Sequence, residues 1–311
     1  MSTDFDIIVA GGGIAGLTAA LTAARLGRKT LVLTGNVLGG HLLNIEKIDG
    51  YPGFPEGVPG FDLCPIAQEQ AIEAGAEFAM SEITGIEPAE TGWQVATSDA
   101  TYRCRAVILA TGTRLREIGV PGESLLRGKG VSQCASCDAP LLSNRAAVVA
   151  GGGDSALQEA LTLADHCSSV TVVHHGESLT AQASYRELAM QKPNIATLPN
   201  SEIVEITGAD AVESVRVKSL TTGDTSVLDC AAVFVFVGLE FNSSYVADAS
   251  LLDADGAIVT DTALRTALPA LFAAGTVRAG SSARAAAAAG EGATAALSAD
   301  RYLASGQWRA N

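Results

Sequence analysis

Positive charge is scarce in this chain of 311 residues: 20 Lys and Arg stand against 34 Asp and Glu, a formal net charge of −14. With a pI near 4.7, binding to phosphate backbones or anionic lipid is disfavoured, so neither nucleic acid nor a membrane is expected as a partner. Charged residues of both signs make up only 17% of the chain. Yet it lacks an uninterrupted apolar run of about twenty residues, the length a bilayer span needs. Its apolar stretches, 7–26 and 283–297, are broken by Gly, Thr, Glu or Arg. No basic segment with a cleavage site precedes Phe5-Asp6-Ile7-Ile8-Val9, which reads as a strand. A cytoplasmic location is expected, where the six cysteines stay reduced unless they do chemistry.

Glycine, by contrast, is abundant, with 33 residues. Val9-Ala10-Gly11-Gly12-Gly13-Ile14-Ala15-Gly16-Leu17 is echoed by Val149-Ala150-Gly151-Gly152-Gly153-Asp154-Ser155-Ala156-Leu157. Each copy follows a β-branched run, opens an Ala/Leu-rich helical stretch (17–26 and 156–164) and closes on a second β-rich run. Those closing runs are Thr30-Leu31-Val32-Leu33 and Val170-Thr171-Val172-Val173. In such a unit the first Gly permits the tight turn and the second lets backbone N–H groups approach a pyrophosphate at the positive end of the helix. The third lets helix and strand pack closely. Two copies in matched contexts point to nucleotide binding, more firmly for the first. Runs 106–113 and 232–238 read as buried strands that end in Gly and return the chain to its sheets. Polar segments at 119–130 and 242–255 read as two crossings of a domain boundary. The expected class is therefore α/β, with two Rossmann-like, three-layer dinucleotide-binding domains, the second inserted into the first. Residues 1–118 and 242–311 form the discontinuous domain and 119–241 the insert.

Cys134-Ala135-Ser136-Cys137-Asp138 carries the chemistry. Two cysteines at this spacing form a reducible disulfide or half of a zinc site. The chain lacks a second Cys-x-x-Cys and any His-x3-His, which disfavours zinc, and no metal is expected. Asp138 stands beside the second thiol as an acid/base group, or as a helix-start residue favoured by the dipole. Cys64, Cys104, Cys167 and Cys230 read as small buried residues.

Two dinucleotide folds with Cys-x-x-Cys-Asp early in the insert resemble the low-molecular-weight thioredoxin reductases, over essentially the whole chain. Further matching residues are Gly39-Gly40-His41-Leu42, Tyr51-Pro52-Gly53-Phe54-Pro55-Glu56-Gly57, Ala110-Thr111-Gly112 and Leu271-Phe272-Ala273-Ala274-Gly275-Thr276-Val277. The resemblance implies FAD on the first fold, NADPH on the second and a homodimer. By the same resemblance Cys137 exchanges electrons with the flavin, Cys134 attacks or leaves the partner's sulfur, and Asp138 is the acid/base. Gly11, Gly13, Ala15 and Gly16 hold the FAD pyrophosphate. Thr34, Gly39, Gly40, His41, Leu42, Thr111, Gly112, Gly275, Thr276 and Ala285 line the rest of the cofactor. Arg284 lies one register away from the family's Arg-Gln pair and is not assigned.

Several family features are missing. Its NADPH signature, His-Arg-Arg-x-x-x-Arg, is here His174-His175-Gly176-Glu177-Ser178-Leu179-Thr180, without a guanidinium for the 2′-phosphate. The acid that would bond an NADH ribose is absent as well, since that position is His174, and both histidines read as strand-end surface residues. On the FAD side Thr34 replaces the strand-end acid, Thr276 the ribityl-bonding Asp and His41 a Gln. These departures resemble a subgroup that keeps the Cys pair and takes electrons from ferredoxin or another flavin. The leading expectation is an FAD-dependent disulfide reductase acting on a thioredoxin-like protein, with a donor other than NADPH. Three alternatives stand beside it: a dithiol oxidase using O2 on a small dithiol substrate, an NADPH enzyme with an unusual phosphate pocket, and a flavoprotein sensor without turnover.

Overall fold

The computed structural model describes residues 4–308. In chain order the elements are β1 (Phe5–Ala10), α1 (Ile14–Arg25), β2 (Thr30–Leu33), α2 (Gly60–Glu73), β3 (Glu77–Ala79), β4 (Ile83–Pro88), β5 (Trp93–Thr97), β6 (Thr101–Leu109) and β7 (Thr113–Leu115). There follow β8 (Val131–Ser132), α3 (Ala135–Asp138), β9 (Ala146–Ala150), α4 (Asp154–Ala164), β10 (Ser169–Val173), α5 (Ala183–Gln191), β11 (Ile195–Leu198), β12 (Ser201–Thr207), β13 (Ser214–Ser219), β14 (Thr225–Asp229) and β15 (Ala232–Val235). The chain closes with β16 (Leu239–Phe241), β17 (Leu271–Ala273) and α6 (Ala285–Ser305). It divides into two compact units: one runs to Arg114 and resumes at Glu240, and the other is Leu115–Leu239. The strands at the crossings, β7 and β16, pair with each other.

In the first unit the strand order is β3-β2-β1-β6-β5-β4. Long β6 serves two partners on one side: its first half pairs antiparallel with β5 and its second half parallel with β17. Strand β2 is buried throughout and β1 nearly so, as apolar strands covered on both faces must be. Helices α1 and α6 are rich in Ala and Gly because they approach closely. A Cβ on Gly292 would lie 2.0 Å from the Ala15 carbonyl oxygen. Trp308 packs edge-on against Phe272 and Tyr302, with ring centroids 5.1 and 5.3 Å away, and closes the chain onto this core.

The second unit has a five-stranded parallel sheet, β11-β10-β9-β15-β8. Alternate residues face opposite ways. Val149, Val172 and Phe234 join the core under α4, whereas Val148, Val233 and Val235 join a second core with Ile203, Val215 and Val217 of the antiparallel β12-β13-β14 sheet. The α/β class and the paired Rossmann-like folds expected from the sequence are present. The strand expected over 106–113 stops at Leu109, because the chain leaves the sheet at its carboxyl edge. Helix α1 starts at Ile14, three residues before the expected stretch, directly on the glycine turn. Among the described residues no helix is long and apolar enough to cross a membrane.

Candidate functional site

Strand register brings the first set of candidate residues together. Ala10 is level with Leu33 and Leu109, and Leu109 with Ala273. Gly11, Thr34, Thr111, Gly112, Gly275 and Thr276 therefore emerge side by side at the carboxyl edge of the parallel strands, where α/β sheets bind ligands. Two close approaches demand glycine: a Cβ on Gly11 would lie 2.1 Å from the Ala110 oxygen, and one on Gly16 1.9 Å from the Gly11 oxygen. At Gly13 a Cβ would meet nothing within 4 Å. Gly13 precedes α1 with no side-chain cap and no acid in the first turn, so the positive helix end is left for an anion. The residues present fit the pyrophosphate of FAD.

Around that edge the remaining groups are tied down. Gly39 donates its N–H to the Gly12 oxygen at 2.8 Å, drawing the Gly39–Leu42 segment against the turn. Burial pushes the His41 imidazole below its ordinary range. Thr34 is buried and its hydroxyl donates to the Gly35 oxygen at 3.0 Å. Thr276 accepts from the Thr113 hydroxyl at 3.2 Å. Ala15 faces Gly275, whose added Cβ would lie 2.8 Å from the Ala15 Cβ, and Ala285 opens α6. Sequence reasoning missed two supports. Thr111 Oγ1 lies 2.9 Å from the Tyr245 hydroxyl and donates to the Asn242 oxygen at 2.7 Å, in a setting whose burial drives the Tyr245 phenol upward. Glu291 accepts from the Gly275 N–H at 2.7 Å and pairs with Arg278 at 2.6 Å, fixing the Gly275–Val277 turn. Neither set of partners has a periodic signal.

In the second unit β8 delivers the cysteines to the carboxyl edge of the other sheet: Ser132 is level with Phe234, and α3 follows at once. Cys134 and Cys137 are joined in a disulfide with Cα atoms 5.4 Å apart. Cys134 is half-buried and Cys137 exposed. The Cys134 N–H donates to Ser132 Oγ at 3.2 Å, and Ser136 Oγ lies 3.5 Å from Cys134 Sγ. Asp138 is the last residue of the single helical turn and half-buried. Leu141, four residues past Cys137, is 77% exposed. The other four cysteines are buried as expected, and burial raises every one of them, Cys64 to about 11 and Cys104 and Cys230 to about 12. They are poor nucleophiles. No cluster of metal-ligating side chains occurs among the described residues.

The carbonyl of the second glycine turn is tied to the segment after β10. Thr180 and Ala181 donate backbone N–H groups to the Gly152 oxygen at 2.9 and 3.1 Å. One residue corrects the sequence reading: His174, directly after β10, is 5% exposed rather than a surface residue, because Gly152 packs on its Cβ. Burial holds its imidazole below the ordinary 6.5, so it is neutral at physiological pH.

A profile of the pyridine nucleotide-disulphide oxidoreductase family matches residues 5–292. A thioredoxin reductase of Treponema pallidum is 39% identical over 303 residues, covering 97% of this chain and 98% of that protein. The crystal structure of Lactococcus lactis thioredoxin reductase superposes with a TM-score of 0.94 at 35% identity, covering 97% of this chain and 99% of the other. A ferredoxin-flavin thioredoxin reductase structure from Clostridium acetobutylicum superposes with a TM-score of 0.52 at 27% identity, covering 96% and 98%. The chain belongs to the pyridine nucleotide-disulphide oxidoreductase family and is a thioredoxin-reductase-like disulfide oxidoreductase of the FAD-dependent kind.

Proposed function

We propose that this enzyme passes electrons from bound flavin through Cys134 and Cys137 to the disulfide of a thioredoxin-like protein, and that its donor is not NADPH but ferredoxin or another reduced flavin. One observation carries the donor reading. A 2′-phosphate over 174–180 would meet a neutral, buried His174 and the exposed Glu177, with no guanidinium in the segment. The ferredoxin-flavin name of the Clostridium acetobutylicum relative supplies a precedent within the family.

The Gly11–Gly16 turn and the Gly275–Thr276 loop would hold FAD, which would supply two-electron reduction of a disulfide. Two electrons and two protons convert the Cys134–Cys137 disulfide into two thiols. The Cys134 thiolate attacks the partner's disulfide and one partner sulfur leaves as thiolate. Cys137, its proton taken by Asp138, then attacks Cys134 Sγ. That restores the Cys134–Cys137 bond and releases the partner, whose two sulfurs take up the proton lost by Cys134 through solvent and the one held by Asp138, as a dithiol. Exposed Cys137, with exposed Leu141 four residues on, favours a protein partner, whose disulfide can reach the pair from solvent.

The test is an anaerobic donor panel on the FAD-loaded enzyme with thioredoxin present. Reduced ferredoxin or reduced free flavin should bleach the flavin and generate thioredoxin thiols, and NADPH or NADH should do neither. Thiol production driven by NADPH alone would reverse the donor assignment.

A further inference from the structure

The buried face of α4 carries one charged residue among its small and aliphatic side chains, Glu159, at 9% exposure. Its Oε2 accepts the Ala135 N–H at 2.6 Å, and Ala135 itself is fully buried. Ala135 is the first residue of the turn that carries both cysteines, and its N–H belongs to the peptide group that begins at the Cys134 carbonyl.

We infer that Glu159 is a positioning residue for the redox pair, which keeps the reduced Cys134 a weak acid and thereby favours the disulfide over the dithiol. Glu159 occupies the Ala135 N–H, so that donor is not offered to a Cys134 thiolate. When ionised, its carboxylate also sets a negative charge one peptide from the sulfur that must become negative. Reduction adds two electrons and two protons to the Cys134–Cys137 bond, and the Cys134 thiol then loses one proton to become the attacking thiolate. Glu159 opposes that last ionisation while its hydrogen bond fixes the backbone from which Cys134 projects. A pair so held is a stronger reductant toward its partner wherever the reduced form carries a thiolate. The other carboxylate of the segment, Asp138, remains in every variant below, so differences report on Glu159. The inference rests on the reading of Cys134 and Cys137 as the redox pair.

The test compares wild type with Glu159→Gln, which keeps an acceptor oxygen and removes the charge, both loaded with FAD. Alkylation of reduced Cys134 by iodoacetamide is followed against pH and located by fragment mass spectrometry. The midpoint in Glu159→Gln should move to lower pH by about tenfold in acid constant. The equilibrium with dithiothreitol should shift toward the dithiol in mildly alkaline buffer, by up to the same tenfold, about 30 mV for a two-electron couple. A loss of packing alone would change flavin retention or melting and leave both quantities in place. Profiles within twofold of wild type overturn the inference. Should Glu159→Gln not fold, amide exchange in reduced wild type decides: a protected Ala135 N–H supports the contact, and exchange at the free-peptide rate overturns it. A wild-type pair that dithiothreitol never reduces would instead refute the redox reading itself, whatever Glu159 does.

Discussion

Gly292 of α6 rests on the backbone of Ala15 in α1, so closely that an added Cβ would fall 2.0 Å from the Ala15 carbonyl oxygen. The contact holds the long C-terminal helix against the helix that opens on the nucleotide turn. Because the obstacle is backbone rather than a movable side chain, Gly292→Ala must separate the two helices. Overpacking of this kind costs about 1–3 kcal/mol. The melting temperature of the variant should fall by several degrees in calorimetry, and an unchanged value would show that the helices are not in that contact.

Gly16, in the first turn of α1, makes the corresponding approach to the glycine turn before it, 1.9 Å from a Cβ to the Gly11 oxygen. Gly16→Ala should therefore distort the pyrophosphate turn and release FAD during purification. Flavin absorbance per protein should drop at least about tenfold. The second unit has its own cores, so its circular dichroism should persist. Full flavin content in Gly16→Ala would remove this turn from the cofactor site.

Protonation of His174 supplies a pH dependence. Burial lowers its folded-state value below 6.5, so the unfolded chain binds the proton more readily than the folded one. The associated stability is complete above the unfolded value and is lost as pH falls below it. Wild type should lose more stability than His174→Asn between about pH 7.5 and 5.5 in denaturant titrations. His41, also lowered by burial, contributes to both proteins alike. Parallel pH curves for the two would mean that His174 titrates normally.

Guanidinium groups can be restored where the phosphate would lie. His175 and Thr180 are exposed, whereas a Cβ on Gly176 would sit 3.0 Å from the Ser178 oxygen. The double variant His175→Arg, Thr180→Arg avoids that crowding and should bleach its flavin with NADPH at least about tenfold faster than wild type does, and faster than with NADH. A rate with NADPH unchanged from wild type would show that the missing arginines do not limit the response.

The nucleotide folds were legible because their requirements are local: glycine at fixed offsets, apolar runs before it and an Ala-rich helix after it. Cys134, Cys137 and Asp138 were legible for the same reason, as one short segment. What escaped was selected across long separations. His174 has no sequence mark of burial, since it is hidden by Gly152, which carries no side chain. Glu159 reads as one more charge on a helix until its partner, Ala135, is known. Tyr245 with Thr111, and Glu291 with Arg278, are likewise pairings that no period announces. The β12-β13-β14 sheet, between 201 and 229, lies outside the two glycine units and pairs by register, which no short motif announces.

Electron entry is the step on which the assignment depends most. The FAD-loaded protein, free of oxygen, is mixed with excess NADPH and its flavin absorbance is followed for minutes, then dithionite is added. The expected trace stays oxidised with NADPH and bleaches with dithionite; rapid bleaching by NADPH would contradict the proposed donor and the reading of His174–Thr180.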